Sequence, residues 1–410
     1  MSAATFVAVA LVAAGVLLGA PGLGLVGVLA LLIGAMGRVT ARLGLRNVSF
    51  ERLLARDRMV WGDEIPLDLV VRNAKLLPLA LLVAESVVSE GVSVRGRVLD
   101  AAERPGWFAI RDAWTLAWYE RVVRHLRLEG AHRGRFVLGP TRLTVADVFG
   151  RDAARTTIEG EQAYVVRPRT VPVRDRGAAR APLGRRRAPA GIFEEPTLFA
   201  GVRPYRAGDP PRRIHWRATA RSNEPVSRRY DAPRAREALI ALDVQTVEGP
   251  YWRRDAVEER LEDLAVAAAS LARTLLRDGV ATGLAAAAYT GRRERVAWLP
   301  PRAGPERLAA IADALGRMGP TASAPFNHVL GRVPRTLPPG TTVHVLTARD
   351  PGPLLGTLRR LGAGGYDVRL VLVGSDAAAA ATRASAAGIA AVVASLDPDW
   401  RTASSLELVG

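Results

Sequence analysis

With 410 residues, 49 % of them hydrophobic, the chain holds two or three domains at roughly 100–200 residues each and is neither wholly disordered nor a disulfide-held miniprotein. It contains no cysteine, which excludes thiol nucleophiles, disulfides, iron–sulfur clusters and cysteine zinc sites. The net charge of +17 points toward acidic partners, yet all but one of the 57 basic side chains are arginine, a bias that genome composition produces as readily as binding does. The five histidines stand at 125, 132, 215, 328 and 344, and HExxH, GxxxxGK[ST] and GxSxG motifs are absent, so the common hydrolase and NTPase readings fail.

Residues 1–37 carry no charged side chain, and the apolar run breaks at Gly19-Ala20-Pro21-Gly22. One unbroken helix over this stretch would be about 50 Å long against a hydrocarbon core of about 30 Å. The sequence therefore predicts a two-helix transmembrane hairpin within residues 1–40, with spans at 3–19 and 22–37. The glycines at 22, 24, 27, 34 and 37 are placed to let the helices approach closely. A cleaved signal peptide is the competing reading, but the basic leading segment it needs is missing. Arg38, Arg42 and Arg46 follow the second span while the intervening turn is uncharged, which puts the N-terminus and the large C-terminal body in the cytoplasm.

Residues 41–170 change to short alternating segments at 67–73, 79–88 and 118–128, separated by turn signals at Trp61-Gly62-Asp63, 73–78, Arg104-Pro105-Gly106 and Leu138-Gly139-Pro140. The expectation is an antiparallel β-sandwich. Residues 171–198, rich in Arg, Pro, Gly and Ala and including Arg185-Arg186-Arg187, read as a linker.

The most informative stretch is 199–235. It contains Arg203-Pro204-Tyr205, Gly208-Asp209-Pro210, Arg212-Arg213-Ile214-His215-Trp216 and Thr219-Ala220-Arg221. This resembles the signature of the DUF58 family, close to R-x-Y-x-x-G-D-x-x-R-x-I-H/D-W-x-x-S/T-A-R. A second resemblance runs from Arg133-Gly134-Arg135-Phe136-Val137-Leu138-Gly139-Pro140 to Asp147-Val148-Phe149-Gly150, where Val148 replaces the family's proline. The candidate binding residues of the signature are Arg203, Tyr205, Gly208, Asp209, Arg212, Arg213, His215, Trp216 and Arg221. Two readings stay open: arginines poised for bidentate recognition of carboxylate or phosphate, or Asp–Arg pairs that staple neighbouring elements together. An enzyme would need Asp209, His215 and Asp243 to converge, and no catalytic constellation is recognisable in the sequence.

Residues 236–410 alternate β and α: strands at 238–243, 280–289, 295–299, 342–347, 368–373 and 389–394, helices at 255–277, 305–318, 353–361 and 376–387. This predicts a doubly wound α/β sheet with any ligand at the carboxyl ends of its strands. Within the DUF58 resemblance this part is similar to a von Willebrand factor A domain, which often binds Mg²⁺ through D-x-S-x-S and a distant Thr and Asp. The matching positions are Asp243, Thr347 and Asp350, but Gln245 and Val247 replace the two serines and Arg349 would compete with a cation, so the site is degenerate. The resemblance implies a membrane-anchored interaction or scaffold protein, partner of a MoxR-type AAA+ ATPase and neighbour of membrane proteins with transglutaminase-like domains. The alternative is an electrostatic module for anionic lipid or nucleic acid through the arginine-rich surface; specific nucleic-acid readout is not expected, since no nucleic-acid fold motif accompanies the arginines.

Overall fold

The computed structural model describes residues 3–146, 152–176, 199–206, 209, 211, 214–222, 224–230, 237–252, 257–288, 296–397 and 399–410. The chain divides into two compact units, Met1–Arg167 and Pro168–Gly410.

The first unit opens with helices α1 (Ala3–Leu17) and α2 (Pro21–Leu43), the second starting at a proline whose missing N–H is harmless in a first turn. The segment Pro21–Thr40 is long and apolar enough to cross a membrane. By contrast, α1 has 15 residues and, at about 22 Å, is the shorter of the expected pair of spans. Rather than ending near Gly37, α2 runs on through Arg38 and Arg42. The two helices touch where glycine removes the side chain: a Cβ on Gly27 would stand 2.6 Å from the Val12 nitrogen, and Gly15 meets the Gly24 backbone. Gly22, by contrast, faces open space.

The rest of this unit is β1 (Val48–Leu54), β2 (Arg58–Val60), β3 (Glu64–Asn73), β4 (Leu79–Ser89), β5 (Ser93–Val94), β6 (Asp100–Ala101), β7 (Trp107–Leu116), β8 (Arg121–Glu129), β9 (Gly134–Ala146), β10 (Asp152–Ile158) and β11 (Gln162–Arg167). One sheet has the order β1-β3-β8-β5; the other runs β2-β11-β9-β4-β7-β6, with β10 also on β9. Pairing is antiparallel except between β11 and β2. Alternate residues of β3 (Ile65, Leu67, Leu69, Val71) meet Leu82, Val88, Ile110, Trp114, Leu143 and Tyr164 of the second sheet in one core. The near-continuous apolar run of β4 is explained by its central place between β7 and β9. The strand expected from 118 begins instead at Arg121, because Trp118 and Tyr119 form the turn after β7 and Tyr119 has φ +54°.

The second unit contains β12 (Val173–Asp175), β13 (Phe199–Pro204), α3 (Trp216–Ser222), β14 (Val226–Tyr230), β15 (Glu237–Leu242), α4 (Glu258–Arg277), β16 (Ala281–Ala286), β17 (Ala297–Arg302), α5 (Pro305–Arg317), α6 (Phe326–Thr336), β18 (Thr342–Thr347), α7 (Gly352–Ala363), β19 (Asp367–Val373), α8 (Ala377–Ala386), β20 (Ala390–Leu396) and β21 (Leu406–Val409). Its large sheet is mixed, in the order β12-β21-β20-β19-β18-β15-β16-β17. The run from β20 to β16 is parallel, and β17 and β21 pair antiparallel at its flanks. Leu239, Ala241, Val343, Val345, Leu370 and Leu372 pack against α6, α7 and α8.

One expectation is corrected here, and one helix was not anticipated from the sequence. Residues 173–175, placed in the linker by composition, form β12 because their backbone groups ladder onto Leu406–Leu408 of β21. Residues 326–336, which carry Pro334, form α6, whose Phe326, Val329, Leu330 and Val333 recur at helical spacing and are buried. The remaining linker residues 177–198 and the Asp147-Val148-Phe149-Gly150 motif lie outside the described residues.

Candidate functional site

The signature segment folds as a β13–β14 antiparallel pair with α3 between the strands. Asp209 is its hub. Its carboxylate accepts hydrogen bonds from Arg203 Nη2 at 2.7 Å, from the Arg206 backbone N–H at 3.1 Å and from Ser227 Oγ at 2.9 Å. The Tyr205 hydroxyl donates to the Asp209 carbonyl at 3.3 Å. The bond from Arg203, above all, together with the Arg206 N–H, holds the Asp209 carboxyl down to about 2. His215 accepts the Ala218 backbone N–H on Nδ1 at 3.1 Å and so closes the first turn of α3, while Thr219 Oγ1 accepts the Val226 N–H. Arg203, Tyr205, Asp209 and His215 are thus committed to local structure, and Trp216 and Arg221 are exposed on α3. Gly208, Arg212 and Arg213 lie outside the described residues.

A prediction follows from the lowered Asp209 carboxyl. A depressed carboxylate contributes stability that is fully present above its ordinary value of about 3.9 and is lost as pH falls through its folded value. The protection of the Arg206 amide, taken against its intrinsic exchange rate at each pH, is therefore expected to fall from pH ~4 toward pH ~2 in the native protein, and in Asp209→Asn to be low already at neutral pH. Unchanged protection in Asp209→Asn would contradict the stapling role.

A second constellation lies at the carboxyl ends of β15, β18 and β19. The chain leaves β15 toward β16 on one side and returns to β18 on the other, so the strand order reverses at β15–β18, and a crevice opens there by topology alone. The crevice has a volume of about 520 Å³ and is lined by the loops after β15, β18 and β19 and by the start of α8. Under its floor lies Asp243, with its side chain 2 % exposed. Arg349 donates from Nε to Asp243 Oδ2 at 2.7 Å, and Thr347 Oγ1 donates to the same oxygen at 3.2 Å. The Gln245 N–H donates to Oδ1 at 3.2 Å. Burial pushes the Asp243 carboxyl up, opposed first by the Arg349 charge.

The structure brings Asp243 and Thr347 together as the cation-site expectation requires, but the residues do not fit a divalent cation. A guanidinium occupies the carboxylate that would hold the metal. Gln245 turns its amide to the Gly249 carbonyl, and Asp350 pairs with Arg383 at 2.6 Å. Among the described residues, no group of three or more His, Asp or Glu side chains converges to hold a metal ion. Asp209, His215 and Asp243 each serve separate partners.

The crevice is instead a balanced array of charges. Arg260, Arg349 and Arg383 line it with Glu248, Asp350 and Asp376. Arg349 meets Asp243 through Nε and is one of the residues lining the crevice, although its side chain is only 9 % exposed. Sequence reading missed Arg260, Glu248 and Arg383, because they come from segments far apart in the chain. The one local signal was Gly374-Ser375-Asp376, a turn with Gly374 at φ +110° between β19 and α8.

A curated relative, the uncharacterised protein YeaD of Bacillus subtilis (strain 168), is 22 % identical over 246 residues, covering 59 % of this chain and 56 % of its own length. The chain thus matches little more than half of that relative. Among solved structures, the CARDB domain of the PF1109 protein from Pyrococcus furiosus is 10 % identical, with 29 % of this chain and 86 % of that one covered and a TM-score of 0.19. The sporulation control protein Spo0M from Bacillus subtilis is 12 % identical, with 29 % and 49 % covered and a TM-score of 0.18. Scores this low carry no fold assignment. Residues 201–346 match the model of DUF58, a protein family of unknown function; the matched span takes in most of the stapled signature segment and the strand leading to Asp243.

Proposed function

We propose that the chain is a membrane-anchored cytoplasmic interaction protein. In this reading α1 and α2 form a membrane hairpin with both ends in the cytoplasm, and β1–β11 form an antiparallel sandwich. The C-terminal unit is then a von Willebrand factor A-like docking domain for a MoxR-type AAA+ ATPase, beside membrane proteins with transglutaminase-like domains. The apolar Pro21–Thr40 segment followed by Arg42 and Arg46 supports the anchoring and its orientation.

The docking reading rests above all on Arg349. Its guanidinium is fixed by Asp243 through Nε and lines a strand-end crevice, and a guanidinium has further donors with which to recognise a carboxylate. The lining charges are balanced, so one incoming carboxylate suits the crevice better than a phosphate dianion. The signature arginines support the electrostatic alternative less, since Arg203 is already paired with Asp209.

The test is direct binding of the full chain in nanodiscs to a purified MoxR-type ATPase from the same genome. Arg383 lies on the exposed rim, where charge reversal leaves the core intact. Arg383→Glu is expected to weaken binding about tenfold, equivalent to about 1.4 kcal/mol. Unchanged affinity would remove the crevice from the docking surface. A wild-type interaction abolished by moderate salt and insensitive to Arg383→Glu would favour the electrostatic alternative.

A further inference from the structure

We infer that the β3–β4 and β7–β8 turns form an interfacial foot that seats the first unit on the membrane surface, with Leu76, Trp118 and Tyr119 inserted at the lipid headgroup level. The inference rests on the reading of α2 as a membrane span. It adds a lipid-contacting surface outside the helices.

The strand registers place these turns beside the helix exit. Val48, the first residue of β1 after α2, pairs with Asn73 at the end of β3, and Arg72 pairs with Arg121 at the start of β8. In the other sheet, Leu79 at the start of β4 pairs with Leu116 at the end of β7. The turn leaving α2 and the two turns in question therefore share one end of the unit. Backbone bonds join them directly: the Ala74 N–H donates to the Asn47 carbonyl at 2.9 Å, and the Tyr119 N–H to the Lys75 carbonyl at 3.2 Å.

These turns expose three large side chains together. Leu76 is 74 % exposed, Trp118 63 % and Tyr119 64 %. Outside α1 and α2, Trp118 and Tyr119 are the large exposed aromatics among the described residues of this unit. Tyr119 sits at φ +54°, a left-handed conformation that glycine or asparagine takes freely and a bulky side chain does not. A turn needed only to join β7 to β8 is better served by glycine, so the ring is kept at that position against the backbone's preference. Arg42, Arg46 and Arg121 stand exposed near the same end. Aromatic rings with basic neighbours beside the cytoplasmic end of a span match the chemistry of the headgroup layer, where Trp and Tyr concentrate and Arg meets anionic lipid.

The continuity with α2 selects the lipid surface, rather than a second copy or a soluble protein, as the occupant. The experiment uses the full chain in vesicles of phosphatidylcholine and phosphatidylglycerol, with bromine on the acyl chains near the glycerol end in one arm and aqueous iodide in another. Subtracting the emission of Trp118→Phe isolates Trp118 among the eight tryptophans. The expected result is that the protein floats with the vesicles and the Trp118 signal loses most of its intensity to bromolipid and little to iodide. Flotation with a Trp118 signal quenched by iodide and untouched by bromolipid overturns the foot and leaves the anchor standing. A signal shielded from both quenchers also overturns it, because protein then covers the ring. Failure to float overturns the membrane reading and the foot with it.

Discussion

Arg349→Ala is expected to destabilise the C-terminal unit by about 3–5 kcal/mol, the usual cost of removing one partner of a buried ion pair. The cause is the carboxylate left behind. Asp243 is 2 % exposed at its side chain, and without the guanidinium at 2.7 Å it keeps only the Gln245 N–H and the Thr347 hydroxyl. Burial already pushes this carboxyl up, and losing Arg349 removes the first cause opposing that shift. A carboxyl raised in the folded state is most stabilising below its unfolded value and loses that contribution as pH rises through its folded value. The deficit of Arg349→Ala is therefore expected to widen from about pH 4 upward. The double variant Asp243→Leu with Arg349→Met, which replaces the pair by apolar groups, should recover most of the loss. Thermal unfolding of the full chain, following the transition of this unit from pH 4 to pH 8, compares both variants with the native protein. Equal stability of Arg349→Ala and the native protein would show that the pair is not buried as described.

The second large effect is expected at Asn73. This side chain is fully buried at the end of β3, and its amide donates to the Leu77 carbonyl at 2.9 Å and the Ala117 carbonyl at 2.8 Å. Its Oδ1 accepts from Lys75 Nζ at 2.8 Å. One side chain therefore ties the β3–β4 turn to the β7–β8 turn. Asn73→Ala leaves two carbonyls without their donor, each at about 1–3 kcal/mol if water does not enter, so a loss of about 2–6 kcal/mol is expected. Asn73→Asp, which cannot donate, should be at least as damaging. Hydrogen exchange is the discriminating readout: the Ala74 and Tyr119 amides should lose protection before the amides of β4 and β9. Uniform loss of protection across the unit would mean that Asn73 supports the whole core and not the two turns.

Several features were readable because one physical signal dominated each. The uncharged N-terminal run marks α2, whose exposed Leu25, Leu29 and Leu32 have no core to enter. The partial alternation of β3 and the apolar continuity of β4 mark two strands that each lie between neighbours in their sheets. The Asp209–Arg203 pair could be anticipated from a Gly-Asp-Pro turn among arginines, although the choice between staple and ligand site needed the Ser227 and Arg206 bonds. Arg349 was visible as a competitor to a cation, and the structure shows it taking the carboxylate itself.

Other features had no local signal. Pro334 lies inside α6 and reads as a breaker, yet four buried apolar residues hold that helix on the sheet. β12 has three residues and exists only because β21, more than 200 positions later, offers a partner. The crevice is assembled from the ends of three strands, so Arg260 and Arg383 acquire meaning only once the strand order is known.

The central claim is that an acidic side chain of a partner docks at the Arg349 crevice, and a charge-swap measurement tests it most directly. Binding of the full chain in nanodiscs to a MoxR-type ATPase would be measured for Arg383→Glu and Arg260→Glu, each paired with ATPase variants whose surface acidic residues are changed one at a time to arginine. At least one such reversal is expected to restore binding to a crevice variant while weakening binding to the native chain. If no reversal rescues either variant and both bind as tightly as the native chain, the partner does not dock at the crevice.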